Sequence, residues 1–405
     1  MKRIVSVSVT LSILCISCMN TRSGGAAHSS LPSPEGLNKM DNREREQVTH
    51  VEATLKKSAS VDWHVDETKT VGRDDLVSVF FLDENHGWAG TRDALYSTTD
   101  GGKNWRRIEI GVSKTALVKK VVFTSQTDGW SVLQDQSSDP LKYDENHFWL
   151  LRSVDGGNTW TTKLDSQNSV LNEMRFADKS EGWFIGTKYT GTKPLRGQDF
   201  VFHTTDAGEH WADISGPLNQ MIADLPVKLG FMDILPAAPQ TASVIMSEGN
   251  TFTTNDGGRH WQAESSIIDD FSHVCFCHIG KTDSNGVWVG GWKDDRRSLL
   301  GMVAWKEVDS WKEYLLAGVS FLDVLLVSRD SILAGGSTTP NQQGYTEKRE
   351  AVVSYSSDRG ATWSFVYRNP KVKRINAIFA VDPTQVWAVG DDGLVLQLTP
   401  TTKAR

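Results

Sequence analysis

Five acidic side chains occupy the same place in a repeated nine-residue box, and they are the first candidates for chemistry in this chain. Each box has Ser or Thr, then Asp two residues later, Gly two residues beyond, and Trp three residues after that Gly. The boxes contain Asp100, Asp155, Asp206, Asp256 and Asp358, with Trp105, Trp160, Trp211, Trp261 and Trp363 at their ends. One such aspartate could act as an acid or a metal ligand. Five equivalent copies instead indicate a structural turn that closes one repeated unit.

The residue types in the box suit a turn between two strands. The aspartate can accept backbone N–H hydrogen bonds across the turn. The glycine, for example Gly102 or Gly157, permits the positive φ that a side chain would oppose. The tryptophan begins the next strand and covers the end of the sheet with a large apolar surface.

The only cysteines beyond the N-terminal segment, Cys275 and Cys277, form the second candidate for chemistry. On an extended strand they share a face with His273, so one strand offers at most three of the convergent ligands that a metal needs. A disulfide between residues two apart on a strand would be strained. We therefore predict buried core thiols, and neither a metal site nor a cofactor.

The spacing of the boxes indicates an array of similar units. The box tryptophans recur about every 50 residues, and Trp311 fills the one wide gap although its box has lost the Ser, Asp and Gly. A period of this length is typical of propellers and solenoids. A second column, most often Gly-Trp, has seven members: Trp88, Trp130, Trp183, Val244, Trp288, Leu333 and Trp387.

The seventh unit is divided between the two ends of the chain. Trp63 precedes Trp88 by the same 25 residues that separate Trp105 from Trp130, whereas the chain after Trp387 has room for only one more strand. Each unit contains four short β-branched and aromatic segments, strands A to D, separated by Gly, Asp and Asn turns. The prediction is an all-β, seven-bladed β-propeller of four-stranded blades, closed by an N-terminal strand D that joins C-terminal strands A–C.

This topology divides the turns between two faces. The A–B and C–D turns, including the boxes, define the box face, and the B–C and D–A connections define the loop face. The B–C connections vary most in length, and recognition often resides in variable loops on a rigid frame. Arginine and tyrosine side chains on the loop face could anchor a protein client. These candidate partner-binding residues are Arg196, Arg296, Arg297, Arg349, Tyr143, Tyr189 and Tyr345. The alternative is a solvated surface of balanced charge.

The composition and the N-terminal sequence indicate which partners this propeller lacks and where in the cell it is located. The formal charge of −7, from 43 Lys and Arg against 50 Asp and Glu, argues against a nucleic-acid partner. Residues 1–18 are predicted to be an export signal of the lipoprotein type, with Cys18 as the lipidated residue; the alternative is ordinary signal cleavage further along, near Ala26 or Ala27. Residues 19–60 are predicted to be a polar tether containing at most a short helix, and residues 61–400 the propeller. We expect a monomer at the cell envelope.

The boxes identify the chain as similar to Asp-box, or BNR-repeat, proteins. Residues 60–400 resemble the photosystem II stability/assembly factor family, which has degenerate boxes and Gly-Trp B strands. The resemblance implies a non-catalytic propeller that assists a membrane-protein client through a basic patch, to which Arg196, Arg296, Arg297 and Arg349 could contribute. The alternative is a carbohydrate-active protein, either a lectin or a sialidase-like glycoside hydrolase. Arg175 and Arg374 could then face the channel, but sialidases have six blades and an N-terminal motif absent here.

Overall fold

In the computed structural model, the described residues are 47–56, 63–69, 72–135, 145–190, 196–223, 230–246, 250–264, 274–281, 287–294, 299–306, 310–339 and 349–401. The first strands are β1 (Gln47–Glu52), β2 (Thr54–Leu55), β3 (Trp63–Lys69), β4 (Ser78–Phe81), β5 (Gly87–Gly90), β6 (Ala94–Thr98), β7 (Arg106–Glu109), β8 (Leu117–Phe123), β9 (Gly129–Asp135), β10 (His147–Ser153), β11 (Thr161–Gln167), β12 (Ser169–Phe176), β13 (Gly182–Thr190), β14 (Arg196–Thr204) and β15 (Ala212–Asp213). A short helix, α1 (Ser215–Met221), follows β15.

The second half of the chain continues the same alternation of short strands and turns. Its strands are β16 (Phe231–Ala238), β17 (Thr241–Met246), β18 (Thr251–Thr254), β19 (Gln262–Glu264), β20 (Val274–Lys281), β21 (Val287–Asp294), β22 (Leu299–Lys306), β23 (Ser310–Leu316), β24 (Val319–Leu326), β25 (Ile332–Thr338), β26 (Ala351–Ser356), β27 (Thr362–Asn369), β28 (Ile375–Asp382), β29 (Gln385–Gly390) and β30 (Leu394–Pro400). A 3₁₀ turn, Asp391–Gly393, joins the last two strands.

These strands form seven antiparallel blades arranged in a ring, which confirms the predicted seven-bladed propeller. Blades 1 to 6 are β4–β7, β8–β11, β12–β15, β16–β19, β20–β23 and β24–β27. Blade 7 combines β28, β29 and β30 with β3, and Trp63 is paired with Pro400. Each A strand contacts the A strands of both neighbouring blades, so the A strands surround the axis. The D strand is the outer strand of blades 1 to 4 and of blade 7, and β11, for example, is largely exposed.

The B-strand tryptophan column joins neighbouring blades. The Trp88 indole of blade 1 stacks on Phe123 of blade 2 at 3.6 Å, and its Nε1–H donates to the box carbonyl of Gly156. Trp387 of blade 7 makes the same two contacts with blade 1, stacking on Phe81 at 3.8 Å and donating to Gly101 O at 3.0 Å. The B-strand tryptophan is therefore a joint between blades as well as a core residue.

The register of blade 4 corrects one assignment of the sequence analysis. Thr253, which directly precedes the first residue of the box, is paired with Ser243. The corresponding residue of blade 2, Arg152, is paired with Trp130. Ser243, and not Val244, therefore occupies the tryptophan column. The residue spacing gave the wrong position because the path from this column to the box is one residue longer in blade 4 than in blade 1.

Residues 47–56 form a strap across two blades rather than the short helix considered for the tether. β1 runs parallel to β23 on the outer edge of blade 5, and β2 runs parallel to β27 on blade 6. Between them, the Ala53 N–H donates to Leu315 O at 2.8 Å, and Ala53 is buried. The strap thus adds a fifth strand to two sheets and covers edges that would otherwise expose unpaired backbone groups.

Candidate functional site

Each complete box forms the same closed turn at the box face. In blade 1, the Asp100 carboxylate accepts hydrogen bonds from Thr98 Oγ1 at 2.8 Å and from the Asn104 backbone N–H at 2.9 Å. The Trp105 indole donates to Gly102 O at 2.9 Å, and Gly102 has a φ of 93°. Asp155, Asp206, Asp256 and Asp358 make the equivalent bonds to their own turns. Their carboxylates hold the turn and leave little capacity for catalysis.

The hydrogen bonds in the box predict a loss of stability in acid. The Asn104 side chain, followed by its backbone N–H, lowers the pKa of Asp100 to about 2, from an unfolded value of about 3.9. A lowered carboxylate pKa stabilises the fold above the unfolded value, and that contribution is lost as the pH falls towards 2. We expect Asp100→Ala to cost about 1–2 kcal/mol at pH 7, and less as the pH approaches 2.

Urea denaturation of the wild type and of Asp100→Ala from pH 7 to pH 2 measures this difference. Asp66→Ala is the control, because Asp66 is exposed on β3 and its carboxylate bonds only to His64 among the described residues. A difference between the wild type and Asp100→Ala that stays constant down to pH 2 would contradict the role assigned to the Asp100 carboxylate.

A second group of charged residues lies at the axis. We name this group the axial cluster; it consists of Lys119, Lys120, Glu173, Arg175 and Asp233. Lys120 Nζ donates to Glu173 Oε1 at 2.5 Å, and the Arg175 guanidinium donates to both Asp233 oxygens at 2.9 Å. All five are at most 3% exposed. Burial lowers the pKa of Lys119 and of Lys120 to about 8.

This pairing bears on the sialidase-like alternative. Arg175 does lie on an A strand, but it is 2% exposed and bonded to Asp233, so it does not present its guanidinium to a ligand. Arg374 is bonded to Asp391 at 3.3 Å near the loop face. The two arginines therefore do not converge on an open substrate site.

The loop face contains only part of the predicted partner site within the described residues. Arg349 is exposed before β26, and Tyr189 is half-buried on β13. Arg196 begins β14, but its side chain is not described. Arg296, Arg297, Tyr143 and Tyr345 lie outside the described residues, as does Cys18. The backbone of Cys275 and Cys277 lies on β20, where side chains are not described.

Two lysines that the sequence analysis missed lie beside Arg349. The connection from blade 6 to blade 7 contains Lys371 and Lys373, both exposed, on either side of the buried Val372. Val372 O accepts the Ala351 N–H at 2.8 Å, which ties this connection to the segment that contains Arg349. We name Arg349, Lys371 and Lys373 the cationic patch. None of these three side chains forms an ion pair with a residue that the structure describes.

The residues around the cationic patch are already paired. Arg368 pairs with Glu350, and Arg374 pairs with Asp391. The Tyr367 hydroxyl donates to Glu67 at 2.8 Å, and burial, assisted by Glu67, raises the pKa of that hydroxyl. The sequence does contain a signal for the cationic patch. The seven residues from Arg368 to Arg374 include four cationic residues and no acidic one.

The described residues contain no helix of the length and apolar character needed to cross a membrane. The fold and the boxes define the class: the chain is an Asp-box, seven-bladed β-propeller. Within that class it resembles the photosystem II stability/assembly factor family. The family model described as "Photosynthesis system II assembly factor YCF48" matches residues 144–301.

Individual relatives agree with this resemblance. Photosystem II stability/assembly factor HCF136, chloroplastic, from Oryza sativa subsp. japonica is 32% identical over 120 residues, covering 28% of this chain and 24% of the relative. Photosystem II assembly protein Ycf48 from Thermosynechococcus vestitus is 28% identical over 174 residues, covering 43% of this chain and 42% of the relative. The matched regions thus span less than half of either relative. A solved structure described as "YCF48 bound to D1 peptide" shares the fold, with a TM-score of 0.55, 18% identity and coverage of 86% and 99%.

Proposed function

We propose that the chain is an exported, non-catalytic scaffold at the cell envelope that binds a protein client through its loop face. The cationic patch is the observation that carries this proposal, because three exposed cations lie together there without an ion-pair partner among the described residues. Clients of this patch would offer acidic side chains or a C-terminal carboxylate, which lysine and arginine recognise by charge and hydrogen bonding.

The resemblance to assembly factors supports a peptide or protein as the partner. The similar solved propeller is bound to a D1 peptide, and a client peptide on the loop face is the corresponding arrangement for this chain. The insertions that contain Tyr143, Tyr189, Arg196, Arg296, Arg297 and Tyr345 would extend the contact beyond the cationic patch. An export signal and lipidation at Cys18 would hold the scaffold near a membrane-bound client. We propose that it acts as a monomer without a nucleic-acid partner.

Reversing two charges of the cationic patch tests the proposal. The variant Lys371→Glu/Lys373→Glu should lower the affinity for the client by about tenfold or more, through both lost attraction and new repulsion. The full chain serves as bait on the solubilised envelope of the source organism, and captured proteins are quantified by mass spectrometry at two salt concentrations. Wild-type capture should weaken at the higher salt, because exposed charges are screened.

The matched control is Lys103→Glu/Lys179→Glu, which reverses two exposed lysines on the box face. It changes the net charge equally and should leave capture unchanged. Equal capture by the wild type and the Lys371→Glu/Lys373→Glu variant would refute the role of the cationic patch. If no protein were captured, and glycans were retained by the wild type but not by the Lys371→Glu/Lys373→Glu variant, the carbohydrate-binding alternative would replace a protein client on the loop face.

A further inference from the structure

Side chains of the C strands bridge neighbouring blades on the box face. In blades 2 and 5 the C-strand residue paired with the B-strand tryptophan reaches the next blade. In blade 2 this residue is Arg152, which pairs with Glu209 of the next box. In blade 5 it is Trp305, whose indole donates to Arg359 O at 2.7 Å.

Blade 3 has His203 at this position, paired with Trp183, and a cleft of about 550 Å³ lies beside it, between blades 3 and 4. We name it the inter-blade cleft; the residues used here are His203, Trp211, Ile214, Gln240 and Arg259. A volume of this size is typical of small-molecule sites. The cleft lies on the face opposite the cationic patch, so the inference is independent of the function proposed above.

His203 is held so that one ring nitrogen is fixed as a donor. Its Nε2 lies 2.9 Å from Glu181 Oε1, and the imidazole stacks on Trp183 at 3.8 Å. Glu181 Oε1 also accepts the Gln240 backbone N–H at 2.7 Å. Since a carboxylate only accepts, Nε2 must carry the proton, and in the neutral imidazole Nδ1 is then an acceptor. Nδ1 lies on the side of Gly257, which lines the cleft, and no described residue bonds to it.

One exposed cation and one exposed amide line the cleft without a partner among the described residues. Arg259 occupies the box position of Glu209, and no described residue forms an ion pair with it. The Gln240 side-chain amide likewise has no described partner, although its backbone is fixed by Glu181. Half-buried Trp211 and Ile214 supply an apolar wall.

The box carboxylates Asp206 and Asp256 also line the cleft. Each accepts hydrogen bonds from its own turn, Asp206 from His210 and Asp256 from His260. The cleft therefore offers one cation, one fixed acceptor, one amide and an aromatic surface beside two carboxylates that are held by their own turns.

We propose that the inter-blade cleft binds a sugar acid, a ligand that carries a carboxylate and hydroxyl groups on one saccharide ring. Its carboxylate would pair with the Arg259 guanidinium. A neighbouring hydroxyl would donate to His203 Nδ1, and the Gln240 amide can serve another hydroxyl as donor or acceptor. The apolar face of the sugar ring would pack on Trp211. A simple carboxylate lacks the hydroxyls, and a neutral sugar lacks the charge, so both should bind less well.

Isothermal titration calorimetry of the full chain with D-glucuronic acid and with D-galacturonic acid tests the inference, with D-glucose and acetate as comparison ligands. At least one acid should give saturable binding that is about tenfold tighter than either comparison ligand. Arg259→Ser should weaken it by about tenfold or more, because one charge-assisted interaction is lost. Lys103→Ser, the same box position in blade 1, should have no effect.

His203→Phe separates binding from folding, because phenylalanine can keep the stack on Trp183 while it removes Nδ1. We expect this variant to unfold cooperatively yet to bind the acid at least about fivefold more weakly, as expected when one hydrogen bond is lost. The Lys371→Glu/Lys373→Glu variant should bind the acid normally, which separates this site from the client surface. No saturable binding by either acid, or equal binding by Arg259→Ser and the wild type, would overturn the proposal.

Discussion

Replacing Trp387 by alanine should lower the free energy of unfolding by about 3–5 kcal/mol, the range for a large aromatic side chain lost from a core. Trp387 is fully buried and joins the last blade to the first, through its stack on Phe81 and its hydrogen bond to Gly101 O. Its loss leaves a cavity at the seam where the two ends of the chain meet. Guanidinium chloride denaturation followed by far-ultraviolet circular dichroism measures the change.

Trp149 provides a matched control for Trp387. It is half-buried on β10, stacks on His147 at 3.8 Å and donates to Asp165 at 3.2 Å. It contacts no neighbouring blade through these bonds, so Trp149→Ala should cost about 1 kcal/mol, as for an exposed polar contact. Trp387→Phe should recover part of the loss by keeping the stack. If Trp387→Ala cost no more than Trp149→Ala, Trp387 would not be the joint between blades 7 and 1.

Arg175→Ala should be about as damaging, with an expected cost of about 3–5 kcal/mol, because it removes the cation that is bonded to the buried Asp233. Asp233 would lose two hydrogen bonds of 2.9 Å, and Glu173, whose Oε2 lies 3.9 Å from the guanidinium, would lose a nearby positive charge. The same denaturation experiment measures the loss. Thermal unfolding should become less cooperative only if the axial cluster also fixes the arrangement of the A strands.

A double variant separates the effect of the buried charges on stability from the effect of side-chain volume. Arg175→Met/Asp233→Asn removes both charges and keeps similar volumes, so it should recover much of the stability lost in Arg175→Ala. Lys69→Met is the exposed comparison, because the Lys69–Asp392 pair of 2.8 Å is about 40% exposed at both ends. It should change stability by less than about 1 kcal/mol. A double variant no more stable than Arg175→Ala would contradict the electrostatic explanation.

The blades could be predicted because their signal is repeated. Box tryptophans at nearly constant spacing reveal the period, and the offset of Trp63 from Trp88 assigns an N-terminal strand to the blade that the C-terminus leaves incomplete. One residue was misplaced, Val244 for Ser243, because the path to the box varies in length. A repeat specifies the number of units more firmly than the register of each one.

The strap and the axial cluster could not be predicted in the same way. β1 is polar and pairs with a strand far away in the sequence, so no local pattern indicates its partner. Lys119 and Lys120 lie in a strand whose charges suggest exposure, yet a β-bulge between Val118 and Lys120 changes the register there, and both lysines are buried. Their partner Glu173 belongs to the next blade.

The candidate site was predicted only in part. Arg349 was named, and the structure places it beside Lys371 and Lys373. Loop length does not indicate those two lysines, because the long insertions are B–C connections, whereas the D–A connection from blade 6 to blade 7 is short. The inter-blade cleft is lined by residues of two blades, so no single box indicates it.

The strap and the divided blade 7 also determine the order of folding during synthesis. Strands β1, β2 and β3 emerge first, but their partners β23, β27 and β30 emerge late or last. The Asn376–Leu76 hydrogen bond spans 300 residues, and translation of that length takes about 15–60 s at about 5–20 residues per second. The N-terminal strands must therefore wait unpaired, and ring closure follows completion of the chain. We expect slow maturation, in which the strap docks only after blades 5 and 6 have formed.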